Sequence, residues 1–178
     1  MTSAADLISA VQAALADRTD AEDRVAIPGD LPTQPGQFPM LKVRVAAEAK
    51  SATGRGTIGF NTLVTIRVLS EVSEPVDPDD DMLVASIQAK LLALKTQVER
   101  AIINNGPLFR IVQQLASVQT QFAYTASATR LAGLQSDYTF EIYEGAEDFA
   151  PVDADDVEAL DLVATNYPPA GFSASLHP

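Results

Sequence analysis

Two pairs of segments with alternating apolar and polar residues flank one long amphipathic stretch in this sequence. Alternation with a period of two is typical of strands that bury one face, and the central stretch repeats its apolar residues with the period of a helix. The alternating segments are 38–49, 57–72, 118–125 and 137–143. Because strands grouped around a covering helix form an antiparallel sheet with helices on one side, the pattern predicts an α+β fold of about four strands in two hairpins.

Two helices are predicted to cover the sheet. The N-terminal one spans Ser3–Arg18, with Ser3 as the N-cap and Asp6 in the capping-box position. The long one follows the acidic residues Asp79–Asp81, which suit the positive end of a helix dipole, and Asn104–Pro107 ends it. Its apolar stripe consists of Leu83, Ile87, Leu91, Leu94, Val98 and Ile102.

The connections carry strong turn signals. Four prolines between residues 28 and 39 exclude a helix or a central strand there and predict a stiff loop, which is typical of a contact surface. Ser51–Gly56 is a glycine-bearing turn that joins the first two strands, and Ala128–Gly133 joins the last two. A short helix is expected at Leu108–Leu115.

The negative charge of the chain is concentrated at its C-terminal end. Residues 1–130 carry 14 acidic and 12 basic side chains, a net of −2, whereas residues 131–178 carry 10 acidic and no basic ones. We therefore divide the chain into a domain over 1–145 and an acidic segment over 146–178, with a weak helical pattern at 153–163. That segment is either a solvated terminus or a docking arm for a partner. The docking interpretation depends on its apolar residues Val157, Leu160, Leu162, Tyr167 and Phe172.

The composition excludes most enzyme chemistry. The chain has no cysteine and one histidine, His177, so thiolate metal sites and cysteine nucleophiles are excluded, and a serine–histidine triad would depend on a residue at the chain end. The acidic run 77–81 lacks the spacing of an EF-hand, and Gly54–Gly56 lacks the ending of a phosphate-binding P-loop. We predict no catalytic residue, metal or cofactor.

The remaining patterns give little support to three other classes: a carboxylate-dependent enzyme or binding module, a nucleic-acid-binding protein, and a secreted or membrane protein. Glu48, Glu71 and Glu141 are the carboxylates that an enzyme or small-molecule binding module would use, although nothing in their spacing brings them together. No basic stripe supports tight binding of nucleic acid. Neither a signal peptide nor a membrane-spanning segment is expected, so the protein is predicted to be cytosolic.

Opposite charges occur on the predicted strands. Lys42, Arg44 and Arg67 lie on the outward faces of the first hairpin, and Asp137, Glu141 and Glu144 lie on the last strand. Either these residues form an ordinary solvated sheet face, or they form a subunit interface in which the two signs pair between copies. The remaining candidate for that interface is Arg55, at the tip of the first hairpin.

The order and size of the elements resemble those of tail terminator (tail completion) proteins of long-tailed bacteriophages and prophages. The resemblance covers about residues 3–145, and the segment beyond Ala146 has no counterpart in that family. It is carried by the opening helix 6–11 with its proline-rich loop, by 43–45 and 60–68 in the first hairpin, and by 121–124 and 137–142 in the last one.

The resemblance implies a non-enzymatic virion protein that forms a homo-hexameric ring. Such a ring caps the tail tube, stops its polymerisation and offers its other face to a neck or head-completion protein, while DNA passes through the lumen without specific binding. The implied location is the virion tail and neck, with the host cytoplasm as the place of assembly. Two alternatives are a head–tail connector of the same virion, and the cytosolic binding module or carboxylate-dependent enzyme considered above.

Overall fold

The computed structural model describes residues 2–27, 32–34, 36–56, 58–74, 83–125 and 130–150. This part of the chain contains three α-helices and five strands, and a short 3₁₀ turn follows the last strand. The elements are α1 (Ala4–Leu15), β1 (Val25–Ala26), β2 (Met40–Ala52), β3 (Gly59–Glu74), α2 (Leu83–Ile103), α3 (Gly106–Ile111), β4 (Gln114–Thr125), β5 (Arg130–Gly145) and the 3₁₀ turn (Ala146–Phe149).

The five strands form one sheet in the order β1-β2-β3-β5-β4. The two predicted hairpins, β2–β3 and β4–β5, are joined by antiparallel pairing of β3 with β5 along their whole length. The predicted α+β fold is confirmed. The fifth strand was not predicted, because β1 has only two residues, which pair in parallel with Leu41 and Lys42.

The core lies between one face of this sheet and the helices. Alternate residues of the central strands point toward the helices and are buried, as alternation requires. On β3 and β5 they include Val64, Ile66, Val68, Leu134, Tyr138 and Phe140, and they pack with Leu7, Val11 and Leu15 of α1 and with Ile87, Leu91, Leu94, Val98 and Ile102 of α2. The expectation that a long helix and an N-terminal helix cover one side of the sheet is confirmed.

The helix boundaries follow from local capping. Ser3 and Asp6 form the predicted capping box at the start of α1. That helix ends at Leu15, so Arg18 lies beyond its last turn. The Asn105 side chain accepts a hydrogen bond from the backbone N–H of Leu108 (2.9 Å), which starts α3 three residues after α2 ends.

The strict alternation predicted for β2 is wrong beyond Val45. The register with β3 shifts between Val45 and Ala47, where β2 has one extra residue. Such a bulge reverses the faces of all later side chains in the strand. Glu48 and Lys50 therefore point to the helix side of the sheet rather than to the opposite side.

Several predictions fall outside the described residues. These are the acidic residues before α2, the weak helical pattern at 153–163, and the proposed docking residues Val157, Leu160, Leu162, Tyr167 and Phe172. The side chain of Leu83 also lies outside them.

Candidate assembly surface

One face of the sheet is not covered by any described helix, and we call it the open face. Directly paired residues of antiparallel strands share a face, so the register assigns its members. They include Lys42, Arg44, Ala47 and Ala49 on β2, Leu63, Thr65, Arg67 and Glu71 on β3, Thr139, Asp137 and Glu141 on β5, and Gln114, Ser117, Gln119 and Gln121 on β4.

Five of the six residues predicted for a subunit interface lie on this open face. They are Lys42, Arg44, Arg67, Asp137 and Glu141. The sixth, Arg55, is exposed in the turn between β2 and β3. The register of β3 with β5 thus brings the basic and acidic residues to one face of the same subunit, and their use between subunits stays a prediction.

Most of these charges already have partners within the chain. Arg67 and Asp137 are directly opposite each other on β3 and β5, and they form a two-bond ion pair with N–O distances of 2.8 and 2.9 Å. The Glu141 carboxylate accepts a hydrogen bond from the Gln114 side chain. A bidentate arginine–carboxylate pair fixes both side chains. These residues give the open face a rigid polar centre.

The pair formed by Lys42 and Glu71 is buried at one end of the open face. The Lys42 ammonium lies 3.0–3.1 Å from the two carboxylate oxygens of Glu71, and both residues are less than a tenth exposed. Thr33, in the proline-rich connection, donates a hydroxyl hydrogen bond to the same carboxylate. The connection is thus anchored against this end of the open face, and Glu71 is a partner that the sequence did not indicate.

The open face is electrically balanced. Along the paired strands it carries three basic residues (Lys42, Arg44 and Arg67) and three acidic ones (Glu71, Asp137 and Glu141), a net charge of zero. The remaining polar residues are neutral amides and hydroxyls, such as Thr65 and Thr139, whose hydroxyls lie 3.1 Å apart. A surface of this kind has no excess field to hold a polyanion.

Both long edges of the sheet are open among the described residues. On one side, β1 pairs only with Leu41 and Lys42, so β2 has no outer neighbour from Val43 to Ala52. On the other side, β4 pairs with β5 alone, through eleven of its twelve residues. An unpaired edge presents free backbone donors and acceptors to another strand.

The β4 edge lacks the usual protection against pairing. It contains no lysine, arginine, aspartate, glutamate or proline, and the chain has no charged residue between Arg110 and Arg130. Proteins that avoid edge-to-edge association place charges or prolines at such positions. The side chains of Val118 and Phe122 are also about two-fifths exposed on the helix side of this strand.

A second polar cluster lies on the helix side, at the end of the sheet near Gly145. The Glu144 carboxylate accepts hydrogen bonds from the Lys50 ammonium and the Thr62 hydroxyl, and Lys50 also lies 3.1 Å from Glu48. The Phe149 ring packs edge-on against Phe60, with ring centres 5.5 Å apart. The sequence did not predict this cluster, because the bulge in β2 is what brings Lys50 to this side.

The pKa of Glu144 reflects this cluster. Burial alone would raise the pKa of the carboxyl, but the hydrogen bonds from Lys50 and Thr62 and the Lys50 charge outweigh it and hold the pKa below its ordinary value of 4.5. The Glu144 hydrogen bond in turn raises the pKa of Lys50.

We expect Glu144→Gln to remove a pH-dependent part of the stability. A carboxyl whose pKa is lowered by folding stabilises the protein above its unfolded pKa, and that contribution is lost as the pH falls through the folded value. The wild-type protein should therefore exceed the variant in free energy of unfolding at pH 6–7, and the difference should shrink steadily below about pH 4.5. Urea unfolding of both proteins from pH 7 to pH 3 measures this difference in free energy of unfolding. A difference that does not change with pH would contradict the lowered pKa of Glu144.

The three carboxylates considered for catalysis are not brought together. Glu48 is on the helix side, whereas Glu71 and Glu141 are on the open face. On that face Glu141 is opposite Leu63, eight residues along β3 from Glu71, which is on the order of 25 Å. Each is also bonded to another side chain, so the arrangement offers no acid–base pair.

A cleft of about 360 Å³ lies between the Phe38–Pro39 turn, the end of β3 and α2. The ionisable residues among its described lining are Asp20 and Lys90. The Asp20 carboxylate accepts a hydrogen bond from Gln97 (2.8 Å). The described lining thus combines one hydrogen-bonded carboxylate, one lysine and one serine with apolar side chains.

Comparison with known proteins adds no family assignment, since no protein-family model and no curated protein matches the sequence. In the described part of the chain, no three histidine, cysteine, aspartate or glutamate side chains are grouped as metal ligands. None of the described helices is long and apolar enough to cross a membrane.

Proposed function

We propose that this protein is a structural subunit of a ring, and that the ring is the tail terminator of a long-tailed phage or prophage. The observation that carries the proposal is a sheet that has helices on one side only and two open edges, and whose open face has a net charge of zero. Such a sheet fits as one sector of a larger surface, because its two long edges have no neighbouring strand and its open face has no covering helix among the described residues. The resemblance in element order supports the choice of tail terminator.

In such a ring the mechanism is steric. The ring seats on the last layer of the tail tube and presents a different surface on its far side, so no further tube subunit can add. The neck or head-completion protein then binds that far side. The lumen must pass DNA without retaining it, and the balanced charge of the open face suits that task.

Native mass spectrometry across a concentration series, with negative-stain imaging of the largest species, tests the proposal. We expect a hexamer that images as a ring with a central hole. A heterologous contact must close on itself to give a ring, so the hexamer should be the end point rather than one step of a continuous series. A compact two-fold dimer as the largest species at every concentration would contradict the proposal.

A further inference from the structure

We infer that the β4 edge of one copy pairs with the β2 edge of the next, so that the copies form one continuous antiparallel sheet. The inference rests on the proposed function only in requiring that copies of this chain assemble. It names the contact, whereas the proposed function names the assembly.

The strand directions fit this contact. β2 is antiparallel to β3, β3 to β5 and β5 to β4, so the two edge strands run in opposite directions within one copy. A second copy placed alongside in the same orientation brings its β2 next to β4 of the first copy in an antiparallel arrangement. The helices of both copies then remain on the same side of the extended sheet.

The lengths of the edges also match. The free part of β2 runs for ten residues, from Val43 to Ala52, and β4 has twelve. An interface of about ten paired residues is longer than the average strand, which has about five or six. It would satisfy the exposed backbone groups of both edges together.

The side chains of the two edges differ in a complementary way. On the open face, the free part of β2 offers Arg44 followed by the small residues Ala47, Ala49 and Ser51, whereas β4 offers Ser117 and the long amides Gln114, Gln119 and Gln121. Pairing unlike edges sets long side chains beside small ones, whereas pairing like edges would set glutamine against glutamine.

On the helix side each edge strand has partly exposed apolar residues. They are Val45 on β2 and Val118 and Phe122 on β4, each about two-fifths exposed. A neighbouring strand would cover all three, which adds apolar burial to the backbone hydrogen bonds.

Closure favours the heterologous contact over a two-fold one. If β4 paired with β4 of another copy, the two β2 edges of that dimer would stay unpaired. Further copies could then add at both β2 edges, which would give an open-ended ribbon. Pairing β4 with β2 uses both edges of every copy and closes once the ring is complete. Because the sheet curves in a closed ring, the helices occupy the roomier outside and the open face lines the hole.

Cysteine cross-linking tests the contact, since the chain has no native cysteine. One protein carries Ala49→Cys on β2, and a second carries a single cysteine on β4; the β4 series is Ser117→Cys, Gln119→Cys and Gln121→Cys. These three positions share the open face, so together they cover a range of registers. The two proteins are mixed in equal amounts, oxidised and separated by size under denaturing conditions. Gln88→Cys, on the exposed side of α2, replaces the β4 partner as the matched control.

We expect cross-linked dimer in the mixture for at least one β4 position, at roughly a hundredfold higher rate than with the α2 control, because pairing holds the thiols at millimolar effective concentration. Each protein oxidised alone should give only the control level. Equal cross-linking of Ala49→Cys alone would indicate two-fold pairing and overturn the inference, as would the lack of a mixed product at all three positions.

The outcome separates this inference from the proposed function. Rings seen by mass and imaging without any mixed cross-link would refute the β4–β2 contact and leave the ring intact. Mixed cross-links in open filaments, with no closed hexamer, would support the contact and refute the terminator ring.

Discussion

Replacing Glu71 with alanine should destabilise the protein by about 3–5 kcal/mol, the largest effect that we expect from a single polar substitution. The variant leaves the Lys42 ammonium less than a tenth exposed with no carboxylate beside it, and it also removes the acceptor for the Thr33 hydroxyl. A buried charge without a partner costs far more than an exposed pair gains. The melting temperature should fall on the order of 10 °C, as measured by calorimetry.

Two controls assign the cause. Glu22→Ala also breaks an ion pair, with Arg24, but the Glu22 side chain is 70% exposed, so its stability should not change measurably. Replacing both partners, as Lys42→Met with Glu71→Leu, removes the buried charge as well as the pair and should recover most of the loss. If Glu71→Ala proved as stable as Glu22→Ala, the buried pair would not hold this end of the sheet.

The elements themselves could be predicted from the sequence because each has a local signal. The capping box of α1, the six-turn apolar stripe of α2 and the alternation in β3 are properties of neighbouring residues. The two-residue strand β1 could not be predicted, since a strand that short has no period and forms only because the chain passes Leu41.

The pairing of strands was the main information missing from the sequence. Alternation places Arg67 and Asp137 on faces of their own strands, but only the register of β3 with β5 sets them opposite each other. The bulge in β2 is a second example, since it reverses the face of Lys50 and joins that residue to Glu144. Both features depend on how the strands pair in the folded protein, which local sequence propensity does not determine.

The candidate surface was predicted in part for the same reason. Alternation predicts the polar side of each strand, and the register of the strands then places five of the six proposed interface residues on the open face. The openness of the β2 and β4 edges could not be deduced, because it depends on which strands occupy the centre of the sheet. The uncharged run that marks β4 is visible in the sequence, but it becomes informative only once β4 is known to be an edge.

Introducing lysines at Gln119 and Gln121 should weaken assembly while the subunit stays folded. Both side chains are exposed on β4, where charge opposes edge pairing and costs a subunit that is alone in solution very little. The melting temperature, measured below the concentration at which copies associate, should match that of the wild-type protein. Gln88→Lys, which adds a charge on the exposed side of α2, is the matched control and should assemble normally.

The size of this effect follows from the number of contacts in a ring. A penalty of about 0.5–1 kcal/mol at each edge contact recurs six times in a closed hexamer, or ~3–6 kcal/mol in all. That lowers the overall assembly constant by about two to four powers of ten. Because a hexamer forms in five association steps, this change raises the concentration needed for half-assembly by about three- to sixfold. Native mass spectrometry across a dilution series should therefore show hexamer of the wild-type protein and of Gln88→Lys at concentrations where the β4 variant is already monomeric. The same half-assembly concentration for all three proteins would place the subunit contact away from β4.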